Sequence, residues 1–406
     1  MSRWITLAFG LALSLFAAPL VAQPTAPVTI LISLDGFRPD YLDRQATPHL
    51  NALKAAGASA AMRPSFPSNT FPNHYTLVTG LPPDKHGIVG NRMEDARRPG
   101  QFFTLANNDP FWWDGAEPIW TTAERAGVRT ATMFWPGSNV ALDGTRPRDW
   151  WLYAKENSER QRVDAVLDWL RRPAANRPRF VTLYFDTVDT AGHEFGPDAK
   201  ETTAVVAAAD VQIGRMVAGV RALGLAANYV IVADHGMATT APERVIELYK
   251  LARAKDYRGV VMGPYAGVDY VRGREKRLER ALLKPHANMA CARKGELPAT
   301  LRYGQHPRVP PILCVADSGW IILTEPVAPG KKYYSIGAHG YDPGPDRAMD
   351  ALFIASGPAF RGGVALPAFD NVDVYPLLAQ LIGVTPRAND GSIATFAPAL
   401  NQGPQR

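Results

Sequence analysis

The sequence predicts an α/β fold in which a mostly parallel central sheet is covered by helices on both faces. Buried strand-like runs alternate along the chain with helical patterns, which favours parallel strands joined by helical crossovers. The first of these runs, residues 28–34, is almost continuously apolar and β-branched, as in strands buried on both faces. The 406 residues are 46% hydrophobic and 20% charged, which allows one large domain or two smaller ones.

The later elements of this fold are predicted from the same hydrophobic periods. We expect strands at 28–34, 129–134, 179–185, 229–233 and 351–356, and helices at 47–57, 72–78, 118–126, 158–171, 200–223 and 371–382. Residues 92–114 show neither period and predict a loop that crosses a site. Short strand-like runs then surround a basic helix at 272–283, and the Pro-, Gly- and Cys-rich stretch 285–311 predicts a small inserted subdomain at about 262–330.

The N-terminal segment has the pattern of a secretory signal peptide. Within residues 1–22, Arg3 supplies the positive charge, and an apolar run with small residues at its end follows. A retained membrane anchor is the alternative, but the run is short and Pro19 interrupts it. We therefore expect cleavage near Ala22, a single catalytic domain over 23–406 with no later segment apolar enough to span a membrane, and a periplasmic or secreted protein.

The two cysteines of the chain are Cys291 and Cys314. In an oxidising compartment a disulfide between them is plausible, and two buried free thiols are the alternative. Neither cysteine lies in a C-x-x-C motif, so the sequence does not predict a redox or thiolate metal site.

The formal net charge of +6 is spread along the chain in short clusters. No basic arm or long basic run is present, so the sequence does not predict specific nucleic-acid binding. A mild positive field can still attract an anionic small-molecule substrate. The sequence leaves the oligomeric state open.

A possible nucleophile lies in the stretch 64–80. Pro64 and Pro67 hold the incoming chain extended, and Pro72 can occupy the first turn of a helix. This places Thr70 at a helix N-terminus, where unpaired N–H groups and the helix dipole favour negative charge. A hydroxyl that faces a phosphate is one interpretation, and an ordinary helix cap is the more frequent one.

Three aspartates and three histidines occur where predicted strands end or in adjoining loops. They are Asp35, Asp189, His193, Asp234, His235 and His339. The carboxyl ends of parallel strands meet at one edge of a sheet, where α/β folds place their ligands. Aspartate and histidine suit Zn²⁺ when no thiolate is offered. Each residue alone could be a cap or a solvated side chain, but their convergence predicts a metal site.

Taken in order, these motifs resemble those of the nucleotide pyrophosphatase/phosphodiesterase family of the alkaline phosphatase superfamily. The matching segments are 34–36, 69–75, 79–81, 86–87, 189–193, 233–236 and 339–341. They cover nearly the whole mature chain, which is most similar to the short, single-domain bacterial members.

The resemblance implies two zinc ions and a covalent nucleotidyl intermediate on Thr70. The ligands implied for one ion are Asp189, His193 and His339. The ligands implied for the other are Asp35, Thr70, Asp234 and His235.

The resemblance also implies a phosphate contact and a nucleoside pocket. Asn91 matches the position whose amide contacts a phosphate oxygen, although by itself it reads as a turn residue. The aromatic wall implied for the pocket is Phe71, Trp135 and Tyr153, with Leu105 as a weaker match, and core packing is the alternative for these side chains. Asn139 stands where relatives can carry aspartate, which leaves the base preference open.

The function we expect is therefore an exported zinc phosphodiesterase that converts nucleotide diesters and pyrophosphates, its small-molecule substrates, to nucleoside 5′-monophosphates. A phosphomonoesterase or a choline-type lipid head-group phosphodiesterase of the same superfamily is the alternative. A non-enzymatic exported metal-binding protein is less favoured, because the nucleophile and all six Asp/His ligands are present.

Overall fold

The central sheet of the computed structural model has nine strands among the residues that the structure describes, which are 26–328, 335–344 and 347–401. The predicted signal peptide, residues 1–22, lies outside these ranges. The strands of this sheet and of the smaller sheets, numbered together in chain order, are β1 (Val28–Leu34), β2 (Ala58–Arg63), β3 (Met93–Glu94), β4 (Phe102–Phe103), β5 (Thr130–Met133), β6 (Asp149–Trp151), β7 (Phe180–Phe185), β8 (Ala227–Val232), β9 (Ala238–Thr239), β10 (Val245–Glu247), β11 (Tyr257–Val261), β12 (Tyr265–Tyr270), β13 (Met289–Arg293), β14 (Ile312–Ala316), β15 (Ile321–Leu323), β16 (Gly337–Ala338), β17 (Ala351–Ser356), β18 (Val364–Ala365) and β19 (Phe369–Asp370).

The α-helices of the same residues alternate with these strands. They are α1 (Pro48–Ala55), α2 (Thr70–Thr79), α3 (Pro83–His86), α4 (Pro110–Trp113), α5 (Ile119–Arg125), α6 (Glu159–Arg171), α7 (Thr187–Phe195), α8 (Lys200–Ala222), α9 (Leu248–Leu251), α10 (Glu275–Leu282) and α11 (Val374–Ile382). Short 3₁₀ turns lie at Pro39–Arg44, Ala254–Asp256, Ala299–Leu301, Arg347–Met349, Asn371–Asp373 and Ile393–Phe396.

The central sheet runs in the order β18-β2-β17-β8-β1-β7-β5-β6, and β19 also pairs with β2. The five strands from β8 to β6 are parallel, whereas β17 is antiparallel to both β8 and β2. Every residue of β1 is buried, as its apolar sequence predicts for a central strand. The predicted α/β fold with a mostly parallel sheet is therefore confirmed.

Strands β2 and β6 and the elements within 92–114 were not predicted. The sequence of β2 is rich in alanine, which has little strand preference, and it becomes a strand because β17 pairs on one side and β18 and β19 on the other. The loop predicted at 92–114 is wrong in part, because β3 and β4 pair and α4 follows them. Arg308 holds this segment from outside it, donating to the Asp95 carboxylate and to the Trp112 carbonyl. Such distant contacts leave no local period in the sequence.

A second, four-stranded antiparallel sheet has the order β11-β12-β14-β13. Ala266, Val268 and Ile312 of this sheet belong to a second core cluster, whereas its Tyr265 and Leu313 belong to the main core. Cys291 and Cys314 are directly opposite each other on β13 and β14 and form a disulfide, so the bonded alternative is confirmed. The sheet begins at Tyr257, before the proposed boundary at about 262, and the division into domains stays a prediction.

Helix α8 is long and apolar enough by composition to cross a membrane, and 33% of its most apolar window is buried. No such segment was expected after the predicted leader, and on composition alone this expectation is wrong. The core helices of soluble proteins pass the same test. Val206, Ile213 and Val220 recur at helical spacing on a buried face of α8, which packs against α6 and α7.

Candidate active site

Three adjacent parallel strands, β8, β1 and β7, end at the same edge of the central sheet. Asp35 follows β1, Asp234 follows β8 by one residue, and Asp189 lies in the first turn of α7, which follows β7. Gly36 lets these groups approach one another. Its φ is +68°, its N–H donates to Asp234 Oδ1 at 3.2 Å, and a Cβ at this position would lie 3.0 Å from the Asp189 Cα.

The first candidate metal cluster consists of Asp189, His193 and His339. The i, i+4 spacing on α7 brings His193 Nε2 to 3.5 Å from Asp189 Oδ2. His339 comes from a distant loop, and its Nε2 is 3.5 Å from the other carboxylate oxygen of Asp189. One carboxylate and two imidazoles thus converge from two parts of the chain.

The second candidate cluster consists of Asp35, Asp234 and His235, all of them buried. His235 Nε2 is 3.0 Å from Asp234 Oδ2 and 3.4 Å from Asp35 Oδ1. The ring of His235 stacks on that of His339, with centroids 3.5 Å apart. The two clusters are therefore adjacent and touch through this pair of imidazole rings.

The hydrogen bonds of the three imidazoles fit a divalent cation in each cluster. The Nδ1 atoms of His193, His235 and His339 lie 2.7, 2.9 and 2.9 Å from the carbonyl oxygens of Gly337, Gly236 and Ser68. Because a carbonyl oxygen only accepts, each Nδ1 carries the hydrogen, and in the neutral ring Nε2 is left as a lone pair. These lone pairs face carboxylates, an unfavourable pairing that a cation between them reverses.

The carboxylates of the two clusters also fit a bound cation. Asp35 Oδ1, Asp189 Oδ1 and Asp234 Oδ2 are buried and have no hydrogen-bond partner among the described residues. Burial, with the Asp234 carboxylate next in effect, raises the pKa of Asp35 well above its usual range, and burial also raises the pKa of Asp189. Buried oxygens of this kind are unfavourable unless a cation or a proton neutralises them.

Thr70 stands beside the second cluster. It is the first residue of α2, after Asn69 at the N-cap, and its Oγ1 is 3.3 Å from His235 Nε2. The cap interpretation of Thr70 is therefore wrong by one residue. The Phe71 N–H donates to Asn91 Oδ1 at 2.9 Å, so the Asn91 carboxamide presents its oxygen to the helix, and its NH₂ group is the end left for another acceptor.

A cavity of about 520 Å³ opens beside Thr70. The four side chains expected to form a nucleoside pocket all line it, together with Thr70, Asp35 and Asp189. They are Phe71, Leu105, Trp135 and Tyr153. Trp135 is 3% exposed and donates from Nε1 to the His74 carbonyl, so it packs in the core as well as lining the cavity. Asn139 also lies in the wall.

Two residues that support this site, Tyr184 and His74, were not predicted from the sequence. The Tyr184 hydroxyl donates to Asp35 Oδ2 at 2.6 Å, and His74 Nδ1 is 2.8 Å from the Thr70 carbonyl and 3.4 Å from Asp234 Oδ2. His74 could have been found from the sequence, because it follows Thr70 by four residues, which is one helical turn. Tyr184 pairs with Ser33 across the sheet, which the sequence does not reveal.

Comparisons of the sequence and of the structure with known proteins match the same protein family. The family model described as type I phosphodiesterase/nucleotide pyrophosphatase matches residues 29–342. A pyrophosphatase/phosphodiesterase from Schizosaccharomyces pombe is 36% identical over 386 residues, which cover 91% of this chain and 79% of that protein. The bis(5′-adenosyl)-triphosphatase of Xenopus laevis is 35% identical, over 91% of this chain and 81% of that protein. The chain spans only 42% of the mouse ectonucleotide pyrophosphatase/phosphodiesterase family member 1, to which it is 35% identical.

Two solved structures share the architecture. Human and murine ectonucleotide pyrophosphatase/phosphodiesterase 5 each superpose with a TM-score of 0.87 at 32% identity, covering 92% of this chain and all of theirs. An inactive threonine-to-alanine variant of the murine protein, in complex with AMP, matches equally well. The family match, the relatives and the shared fold agree, and the chain belongs to the type I phosphodiesterase/nucleotide pyrophosphatase family.

Proposed function

We propose that the protein is a zinc-dependent phosphodiesterase that hydrolyses nucleotide diesters and pyrophosphates to nucleoside 5′-monophosphates through a covalent intermediate on Thr70. The observation that carries the proposal is the position of the Thr70 hydroxyl. It lies at the N-terminus of α2, 3.3 Å from His235 Nε2, and lines the same cavity as Asp35 and Asp189.

The chain's own groups favour attack by this hydroxyl on a phosphate. The bond from Thr70 Oγ1 to phosphorus forms as the bond to the leaving oxygen breaks, and water then releases the nucleotide and restores the hydroxyl. The dipole of α2, whose positive end lies at Thr70, favours the negative charge of the phosphate. The NH₂ group of Asn91 is a donor for a non-bridging oxygen, because its carboxamide oxygen is already bonded to Phe71.

We assign one zinc ion to each carboxylate–imidazole cluster. Asp189, His193 and His339 would hold one, and Asp35, Asp234 and His235, joined by Thr70, would hold the other. When bound, the two ions would supply Lewis acidity, lowering the pKa of a coordinated hydroxyl or water and neutralising phosphate charge. Zinc is favoured because the donors are imidazole nitrogens and carboxylate oxygens.

A nucleoside is the substrate group that best fits the cavity. Phe71 and Tyr153 line it with Thr70, and aromatic rings can stack on any nucleobase, at about 1–3 kcal/mol per base. The complex of the murine relative with AMP supports this choice. Export to the periplasm or beyond is supported by the Cys291–Cys314 disulfide and by relatives named as ectonucleotide enzymes.

One observation favours the lipid head-group alternative. The cavity has an apolar rim in which Leu105, Trp151 and Leu152 are each about half exposed. Such a rim suits an acyl chain as well as a nucleobase. The phosphomonoesterase alternative would need cations beside the phosphate. Lys155 lines the cavity, but Arg92, the cation next to Asn91 in the chain, lies over the Phe102 ring, with its guanidinium carbon 4.0 Å from the ring centroid.

The test is a side-by-side assay of the purified zinc-loaded protein. The substrates are the p-nitrophenyl ester of thymidine 5′-monophosphate, p-nitrophenyl phosphate and p-nitrophenylphosphorylcholine, each with and without a chelator. We expect the nucleotide ester to have the highest kcat/KM and the chelator to abolish its hydrolysis. A higher kcat/KM on the choline ester or on the monoester would replace the proposal by the corresponding alternative.

A further inference from the structure

Arg162 and Asp186, which take no part in the chemistry proposed above, form an ion pair at the wall of the cavity, which Asp186 itself lines. The Arg162 side chain is only 2% exposed, and its Nη1 donates to Asp186 Oδ1 at 2.7 Å and to the Tyr184 carbonyl at 3.0 Å. Its Nε donates to the Asn157 carbonyl at 2.8 Å. A buried guanidinium is unfavourable without a carboxylate partner, so the position of Asp186 is fixed by this pair.

The second oxygen of Asp186 holds Tyr153. The Tyr153 hydroxyl donates to Asp186 Oδ2 at 2.8 Å. Burial and this carboxylate raise the pKa of Tyr153, so the hydroxyl stays a donor in the range where enzymes work. The ring of Tyr153 meets that of Phe134 edge-on, with centroids 5.4 Å apart, and the Arg162 guanidinium lies 4.9 Å from the Phe134 centroid. The tyrosine is therefore held at both its ring and its hydroxyl.

This restraint is unusual for a side chain in such a place. Tyr153 is 52% exposed and lies between β6 and α6, outside both elements. An exposed tyrosine in an irregular segment ordinarily samples several rotamers, and ordering it on binding reduces affinity. A tyrosine held in advance at the cavity wall avoids that loss.

We propose that Asp186 and Arg162 are positioning residues, which hold the Tyr153 ring in place and thereby set the affinity for substrates that carry a nucleobase. The proposal rests on the proposed function, in which Tyr153 stacks on the base. Asp186 acts through the tyrosine hydroxyl and not through a contact with the substrate.

The test is a double-mutant cycle of Tyr153→Phe and Asp186→Ala. KM and kcat are measured on the p-nitrophenyl ester of thymidine 5′-monophosphate and on methyl p-nitrophenyl phosphate, in which a methyl group replaces the nucleoside. We expect each single variant to raise KM for the nucleotide ester about two- to ten-fold, with kcat little changed, because binding must now order the ring. The double variant should be no worse than Asp186→Ala alone, and the base-free diester should be unaffected.

Two further variants separate positioning from general stability. The KM of Asp186→Asn for the nucleotide ester should be close to that of the native protein, because the amide oxygen can accept from Arg162 while the NH₂ group donates to the tyrosine oxygen. Asp149→Ala is the matched control. It removes an aspartate–arginine pair of the same length, Asp149 with the more exposed Arg172 at 2.7 Å, at the other end of α6, and should leave KM unchanged even if Tm falls.

Each contrary outcome has a distinct meaning. Losses that add in the double variant would show that Asp186 contacts the substrate directly, and equal losses on both substrates would show a purely structural role. Either result overturns the proposal. If Tyr153→Ala leaves KM for the nucleotide ester unchanged, the stacking role in the proposed function fails as well. If Tyr153→Ala raises KM but Tyr153→Phe and both Asp186 variants do not, only the positioning role fails.

Discussion

The carboxyl edge of the central sheet and the four-stranded antiparallel sheet are held together by different means. At the edge, Asp35 and Asp234 are buried, and each has one carboxylate oxygen that no described residue hydrogen-bonds. In the antiparallel sheet, paired strands and the Cys291–Cys314 bond join neighbouring segments. The first region has the buried, unpaired carboxylate oxygens that the proposed cations would neutralise, at a cost in stability, whereas the second is held by paired strands and a covalent bond. Substitutions should therefore divide into those that stop the reaction and those that only loosen the fold.

The largest expected effect on activity comes from Thr70→Ala at the edge. The variant loses the proposed nucleophile, and we expect kcat/KM for a nucleotide ester to fall by about 10⁴-fold or more, with Tm little changed. Thr79→Ala, at the other end of the same helix, removes a hydroxyl that donates to the Tyr75 carbonyl and serves as the control. Diesterase activity of the Thr70 variant near that of the native protein would rule out the covalent mechanism. Acid quenching of the native enzyme during turnover should trap the nucleotide on Thr70.

Metal content should separate the two regions most directly. We expect about two zinc ions per native chain by elemental analysis. Asp234→Ala and His339→Ala should each lower the zinc content by about one ion, from different clusters. His286→Ala, whose Nε2 lies 3.1 Å from the Leu282 carbonyl near the antiparallel sheet, should leave both ions in place. A native protein that is fully active with no zinc or with one ion would contradict the assignment.

Substrate selection should show a smaller effect at the cavity wall. Tyr153→Ala removes one of the two rings proposed to stack on the base, and we expect a roughly ten- to hundred-fold fall in kcat/KM for nucleotide substrates. Hydrolysis of methyl p-nitrophenyl phosphate, in which a methyl group replaces the nucleoside, should barely change. Tyr270→Ala, on β12 of the antiparallel sheet, is the control and should affect neither substrate. Equal losses on both substrates in the Tyr153 variant would mean that this tyrosine only supports the fold.

The disulfide should matter least for activity and most for stability. Replacing Cys291 and Cys314 by serine opens a loop with a sequence separation of 23. We expect a loss of about 3 kcal/mol in the free energy of unfolding, measured by denaturant titration, since the unfolded chain is no longer constrained. The kcat/KM of the folded variant should stay native. A large loss of activity without a loss of stability would show that the two regions are coupled.

Most of the central sheet could be predicted because its strands carry their own signal. β1 and β17 have the predicted bounds, and α6 begins after Ser158 with a capping box to Gln161. The secondary-structure preference of the residues themselves did not predict an element where contacts with a distant part of the chain decide the structure. The alanine-rich β2 depends on the strands that flank it, and the elements within 92–114 depend on Arg308.

The sequence by itself determined the family motifs, the α/β pattern and which residues could ligate a metal or act as a nucleophile, because these depend on residue type and short spacing. Only the tertiary structure decided how they meet. It brought His339 to Asp189, aligned Asn91 through the Phe71 N–H and linked Tyr153 to Asp186. Each of these contacts joins two residues that are between 20 and 150 positions apart in the sequence. Their geometry is set by strand order and helix packing, for which no local sequence signal exists.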